Sequence, residues 1–259
     1  MDKRSKINSR RSGNGPIVIP KRTSRRFYGH GLPNVDLKKL AGRLIVVEGA
    51  DGSGRSTQIA MLMRWLEGSG HATVQVGLKR STLVSEELDQ AKKGNILSRS
   101  TLSLFYATDF ADQLENSILP ALKAGFIVLA DRYKFTALAR DTVRGCPQEW
   151  VEQLYSFAFQ PDITFYFSLP LRTALERILG GRPALKYHEA GMDLGLSPDP
   201  VESFKIFQGR IHKAYELLAK NRGFTRISSD RPVEAIQEEV RGVLRDRIDL
   251  AHYKAVSRR

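Results

Sequence analysis

The sequence predicts an α/β fold, a doubly wound five-stranded parallel sheet with helices on both faces. Short apolar runs alternate with longer stretches of helical periodicity, the order of successive βαβ units. The runs are apolar almost throughout rather than at every second residue, as strands covered on both faces require. The first run leads directly into a glycine-rich turn and then a helix, and open parallel sheets bind ligands beyond such strand ends.

Leu44-Ile45-Val46-Val47 is the first strand, followed by the glycine loop and a helix from about Arg55 to Glu67. Ala72 to Val76, Phe126 to Ala130, Ile163 to Phe167 and Phe224 to Ser228 make the other four strands. The spacing of apolar residues predicts helices over about Thr101 to Ala124, Gln148 to Phe159, Leu171 to Leu179, Pro200 to Lys220 and Pro232 to Arg247.

A length of 259 residues with 41% hydrophobic content suffices for one substantial core, so one domain over residues 39–250 is expected. No run reaches the roughly 18 apolar residues of a spanning helix, which argues against a membrane partner. The single cysteine, Cys146, precludes an internal disulfide framework and a cysteine zinc cluster, making a cytoplasmic setting the default. Of the net charge of +13, ten units fall within residues 1–43. The excess therefore belongs to an N-terminal arm, residues 1–38, rather than to the folded body. From Met1 to about Asn34 the composition buries too little to offset chain entropy, apart from the apolar island Ile17-Val18-Ile19. Such an arm suits nucleic acid, polyphosphate or an acidic partner. Residues 251–259 read as a C-terminal tail.

Gly49-Ala50-Asp51-Gly52-Ser53-Gly54-Arg55-Ser56 fits the phosphate-binding pattern of a strand–loop–helix nucleotide site, with Arg55 in the lysine position. Gly49, Gly52 and Gly54 let backbone N–H groups, including those of Asp51 and Ser53, converge on phosphate oxygens, and the helix dipole adds positive potential. Ser56 is placed to ligate Mg²⁺ and Thr57 to donate to a phosphate of ATP. Arginine is a longer, flat fork where lysine is a compact point charge, so Arg55 bears on the rate of transfer more than on binding.

From about Gly42 to Arg247 the chain resembles the thymidylate kinase family. The resemblance rests on Leu44 to Gln58, on Leu104 to Gly125, on Asp131-Arg132-Tyr133 after the third strand, and on Pro161 to Arg177 with Arg182. It implies a P-loop nucleoside monophosphate kinase fold in which Asp131 holds Mg²⁺ through water, Arg132 bridges donor and acceptor phosphates, and Asp51 lies near the acceptor sugar. By the same resemblance residues 180–200 form a lid whose leading catalytic residue is Arg182, ahead of Arg177 and Lys186. Tyr106 takes the place of the ring-stacking aromatic and Thr136 that of a substrate-side serine. Phe110 falls where the family carries its thymine-reading arginine, and Lys79 and Arg80 are the candidates for gripping the monophosphate. Arg140-Asp141 replaces a Tyr-Gln pair. The segment from Tyr187 to Asp193 matches no family motif, and His188 reads as a surface histidine.

The expected activity is ATP- and Mg²⁺-dependent transfer of a γ-phosphoryl group to a nucleoside monophosphate, thymidylate by resemblance, with a homodimer implied. Two alternatives stand beside it: a kinase for another phosphorylated acceptor, and a nucleotide-binding regulator recruited by the basic arm.

Overall fold

The computed structural model describes residues 25–93, 97–181 and 184–250. Five parallel strands form one sheet in the order β2-β3-β1-β4-β5: β1 (Arg43–Glu48), β2 (Thr73–Gly77), β3 (Ile127–Asp131), β4 (Ile163–Ser168) and β5 (Thr225–Ser228). The chain winds from β1 outward to β2, returns through β3, and crosses over β1 to β4. Strand order thus reverses beside the C-terminal ends of β1, β3 and β4, where open α/β sheets carry their ligand crevice. Val47 pairs with Asp131 and Glu48 with Tyr166, which brings three strand ends to that point.

Alternate residues of each strand feed opposite layers. Ile45, Val47, Leu129, Phe165 and Ile227 pack under α1 (Arg55–Gly68) and α9 (Val233–Arg247). Leu44, Val46, Val128 and Ala130 pack against the helices of the other face, beginning with α3 (Arg99–Gln113) and α4 (Leu119–Lys123). The single helix expected over 101–124 is divided by a π turn at Leu114–Ile118, in which Leu119 N–H donates to the Leu114 carbonyl. Pro120 lacks the N–H that a regular helix would use there, which accounts for the break.

Two further helices, α2 (Ser85–Lys93) and α5 (Lys134–Val143), lie where no element was expected. Helix α6 (Gln148–Leu154) ends before the predicted Phe159. Helices α7 (Leu171–Gly181) and α8 (Pro200–Arg222) agree with expectation, α8 being capped by Asp199, whose side chain accepts from Glu202 N–H. No helix among the described residues is long and apolar enough to cross a membrane.

Of the basic arm expected to about Asn34, the part from Arg25 onward is docked on the body. Arg25 donates to the Leu40 carbonyl at 2.7 Å, to the Gly42 carbonyl at 2.5 Å and to Asp162 at 2.8 Å. Phe27 bridges to Phe159, and the Tyr28 ring meets Phe135 edge-on at 5.9 Å. These are ordinary core contacts, supplied by four apolar residues, Phe27, Tyr28, Leu32 and Val35, inside a basic stretch. The Ile17-Val18-Ile19 island and the 251–259 tail lie outside the described residues.

This docked segment buries Lys134, whose Nζ lies 3.7 Å from the centre of the Tyr28 ring. Burial pulls the Lys134 ammonium down to about 8, with Arg222 adding to the shift. Below that pH the lysine is charged both folded and unfolded and the burial penalty is full. Above about 8 the folded lysine sheds its proton while the unfolded one keeps it, so stability rises with pH until about 10.5. Denaturant unfolding of wild type and Lys134→Met should show the wild type gaining on the variant across that window; a constant difference would contradict the assignment.

Candidate active site

The loop after β1 owes its shape to glycine. Gly49 has φ 153°, and a Cβ there would stand 2.8 Å from the Phe167 carbonyl oxygen. Gly52 and Gly54 have φ 78° and 79°, the left-handed region that L side chains avoid. Helix α1 opens at Arg55 with Gly54 as its N-cap, and no side chain caps its first N–H groups. Those donors and the positive end of the helix dipole face the loop, the arrangement that binds phosphate.

Arg55 folds back across this loop and is only 9% exposed. Its Nη1 donates to the Gly49 and Ala50 carbonyls, each at 2.5 Å, and to Ser53 Oγ at 3.1 Å. Its Nε donates to Asp131 Oδ1 at 3.0 Å, while Ser56 Oγ donates to Asp131 Oδ2 at 2.7 Å. Burial pushes the Asp131 carboxyl up, but the Arg55 charge, the Ser56 hydrogen bond and Arg132 outweigh it, and the net direction is down. Asp131 is therefore a carboxylate at neutral pH, beside a hydroxyl at the mouth of the loop. Thr57 follows on α1 as an exposed residue of its first turn.

Arg132 adopts φ 78°, which is uncommon for a residue with a side chain and costs about 1 kcal/mol or more. Its N–H donates to the Val47 carbonyl at 3.0 Å, which fixes the turn. Its guanidinium hydrogen-bonds Asp51, a carboxylate that also meets Arg140 at 3.3 Å and Arg55 at 4.0 Å. Burial alone would lower the Arg132 pKa, but Asp51 and neighbouring acids raise it, so the charge is permanent.

Beneath the pair lies Glu48, fully buried and not foreseen from sequence. It accepts from Tyr133 N–H at 2.8 Å, Thr136 Oγ1 at 2.7 Å and Tyr215 Oη at 3.0 Å. Burial raises its pKa, and the hydrogen bonds only partly offset that. Thr136, expected on the acceptor side, is instead fully buried in this network, where its hydroxyl also meets Tyr215 Oη at 2.7 Å. Thr136→Val should therefore cost about 1–3 kcal/mol of stability by stranding Glu48 and Tyr215, while leaving the acceptor KM within about twofold. A large KM rise at unchanged melting temperature would restore the substrate-side role.

A cavity of about 730 Å³ opens beside the loop, with Asp51 in its wall. Lys79, Lys92, Lys93, Arg140, Arg144 and Lys186 outnumber Asp51, Asp89 and Glu189 in its lining and make it net cationic, Lys79 being ion-paired to Asp89, and Tyr106 supplies an aromatic face. Lys92 Nζ donates to Tyr106 Oη at 3.0 Å. Burial raises the Tyr106 pKa, but Lys92, Arg140 and Arg144 outweigh it and the net direction is down. Of the two candidates after β2, Lys79 lines the cavity. Its φ of 62° is held by buried Asp109, which accepts from Lys79 N–H at 2.8 Å and Ser81 N–H at 2.9 Å. That turn throws the next side chain elsewhere: Arg80 is exposed outside the cavity, within 3.2 Å of the Gln75 amide oxygen once that amide is turned toward it. Phe110 is likewise displaced from the expected pocket into a buried aromatic cluster, 4.9 Å from the Tyr133 ring and 5.4 Å from that of Tyr155.

The segment expected as a lid is strapped down from Tyr187 to Asp193. Arg144 donates to the His188 carbonyl at 2.7 Å and to Asp193 at 2.9 Å, and Ser203 Oγ donates to the Ala190 carbonyl at 2.8 Å. Gly191, at φ 68°, leaves room for the Phe207 ring, which a Cβ would meet at 2.7 Å. His188, expected at the surface, is 7% exposed and lines the cavity. Arg177 reaches the Gly52 carbonyl at 3.3 Å and the Ser229 carbonyl at 3.2 Å, on the loop side of the site. Arg182 lies outside the described residues. A charged residue closing an apolar strand just before the loop was the available signal for Glu48; Asp109 and His188 carried none.

A family model described as thymidylate kinase matches residues 47–240, a span that takes in the phosphate loop, Asp131-Arg132 and the cationic cavity. The probable thymidylate kinase 2 of Saccharolobus solfataricus is 41% identical over 212 residues, covering 81% of this chain and 99% of that protein. The thymidylate kinase of Parasynechococcus marenigrum is 30% identical over 223 residues, 81% of this chain and all of that protein. A probable thymidylate kinase of Pyrococcus horikoshii is 34% identical over 147 residues, 54% of this chain and 71% of that protein. With relatives matched along nearly their whole length and the family span covering loop, arginine and cavity together, the chain belongs to the thymidylate kinase family.

Proposed function

We propose that the protein transfers the γ-phosphoryl group of ATP to thymidylate. The observation that carries this reading is Asp51, which sits in the phosphate loop, holds Arg132 and lines the cationic cavity at once. One carboxylate thus joins a triphosphate cradle to a pocket with cations for a second phosphate and an aromatic face for a base. The names of the relatives favour thymidylate among monophosphates.

Phosphoryl transfer needs charge and positioning around an in-line oxygen array more than a nucleophilic side chain. The first-turn N–H groups of α1 and Thr57 bind the donor phosphates, with Arg55 as the cation at the loop. Arg132, prepositioned by its strained turn, exchanges Asp51 for the phosphates when acceptor enters. Lys79 holds the acceptor phosphate and Tyr106 packs against its base. Arg177 adds charge from the loop side, and Arg182 is the lid cation of this reading.

Ser56 and Asp131 would hold Mg²⁺: a hydroxyl and an ionised carboxylate 2.7 Å apart are hard oxygen donors. Among the described residues no cluster of three or more metal-ligating side chains competes with them. That suits an ion taking most of its shell from phosphates and water, whose contribution when bound is to neutralise phosphate charge. The same reading makes the protein a cytoplasmic homodimer of one kinase domain, with the basic N-terminal residues left for nucleic acid or an acidic partner.

ATP consumption measured against each nucleoside monophosphate tests the proposal. Thymidylate should give the highest kcat/KM. Turnover with a different acceptor alone would favour a divergent kinase, and ATP binding without turnover of any acceptor would favour a regulator.

A further inference from the structure

The cation assigned to the acceptor phosphate is already engaged. Lys79 Nζ donates to the carboxylate of Asp89, which stands on α2 and lines the same cavity. Lys79 cannot easily retreat from that wall. Its φ of 62° is locked by Asp109, which accepts from Lys79 N–H at 2.8 Å and from Ser81 N–H at 2.9 Å. The ammonium therefore meets the cavity from a fixed root, and whatever anion holds it must come to it.

Around Asp89 the cavity gathers the charges that suit a small anion. The hydrogen bond from Lys79 holds its carboxyl below the ordinary value against a slight burial effect, and the charges of Lys79, Lys92 and Lys186 add to that. All three lysines line the cavity. A carboxylate bonded to one of them and within the field of the other two stands where a phosphate would be held. A phosphate dianion cannot share Lys79 with it without like-charge repulsion.

Helix α2 can give way. Leu88 is its only buried residue, packed with Leu102 and Tyr106. Its polar ties are Asp89 on Lys79 and Lys92 Nζ on Tyr106 Oη at 3.0 Å, and both partners are cavity residues that an acceptor engages. A helix with so little buried area opens at small cost.

We propose that Asp89 is a placeholder for the acceptor's phosphate: it neutralises Lys79 while the site is empty and is displaced, with α2, when Lys79 takes the phosphate. This rests on the kinase reading above, and it sets what the site admits. An acceptor bearing a phosphate dianion can take Lys79 from a single carboxylate, whereas an uncharged nucleoside leaves the pair closed. The Asp89 side chain is 55% exposed, so the pair is weak and the effect on affinity is modest.

The test compares wild type, Asp89→Asn, Lys79→Met and the double variant, by calorimetric binding of thymidylate and thymidine and by acceptor kinetics. Asparagine keeps the size and removes the charge. It should bind thymidylate about three- to fivefold tighter than wild type and lower its KM to match. Thymidine affinity, the KM for ATP and the melting temperature should not change. In the Lys79→Met background most of the gain should vanish, because there is no ammonium to free. Thymidylate affinity unchanged or weakened in Asp89→Asn, an equal gain for thymidine, or the full gain kept beside Lys79→Met would overturn the proposal. If wild type turns over a different monophosphate, that nucleotide and its nucleoside replace the thymidine pair and the same criteria apply. If it turns over none, the function reading falls by itself, and inorganic phosphate titrated into the same four proteins decides Asp89. A gain in Asp89→Asn that Lys79→Met abolishes supports the placeholder, and equal binding by wild type and Asp89→Asn overturns it.

Discussion

Arg132→Ala is expected to lower kcat by about 10³-fold while changing the KM for ATP by less than about threefold. Arg132 is held at φ 78° in the turn between β3 and α5, with its guanidinium buried on Asp51. Strain of this kind persists only where surrounding structure enforces it, and here Glu48 and the Tyr133 N–H fix the turn from below. In the resting site the charge is parked on Asp51, so what it gives to transfer is realised only when negative charge accumulates between donor and acceptor. Loss of the side chain therefore falls on kcat. The fold should tolerate it, because Asp51 keeps Arg140 and Arg55 as partners. Arg132→Lys should recover only a small part of the rate, since a single ammonium cannot span two phosphates as a fork does. Steady-state kinetics with a thermal melt on the same samples checks this. A kcat loss that tracks a fall in melting temperature would make Arg132 a structural residue instead.

The difference in legibility between the two halves of the site has a physical origin. The donor half is nearly contiguous, running from Glu48 to Thr57, and a strand, three glycines and a helix start specify its shape locally. The acceptor half is assembled from the loop after β2, the second half of α2, two turns of α3, one face of α5 and residues 186–189. Which side chains face inward there depends on how each helix is rotated. Tyr106 and Phe110 are four residues apart on α3, yet one lines the cavity and the other packs on Tyr133. Lys79 and Arg80 diverge because buried Asp109, some thirty residues away, sets the backbone between them.

The strands were readable because burial on both faces leaves continuous apolar runs. Helix α5 escaped because three of its seven buried residues, Lys134, Thr136 and Asp141, are polar, so the residues facing inward do not form an apolar run. Helix α2 escaped because Leu88 is its only buried residue.

Arg55→Ala is expected to lower kcat/KM for ATP by about 10³-fold, and Arg55→Lys to lower kcat by about tenfold with ATP affinity nearly kept. Alanine removes the cation from the loop and also releases Asp131, whose Oδ1 loses its charged partner at 3.0 Å. The metal-binding carboxylate and the phosphate cradle are therefore damaged together. Lysine keeps the charge but cannot reproduce a fork that meets the Gly49 and Ala50 carbonyls and Ser53 through Nη1 and Asp131 through Nε. A loop shaped around that fork loses alignment with lysine even as its electrostatic pull on triphosphate survives. The contrary result is equally informative: a lysine variant faster than wild type would mean that the guanidinium, bonded to the loop's own carbonyls, restrains transfer. A double-mutant cycle with Asp131→Asn separates the contributions. If Arg55 and Asp131 act as one unit, the asparagine change should cost much less in the Arg55→Ala background than in wild type, because the interaction it removes is already gone.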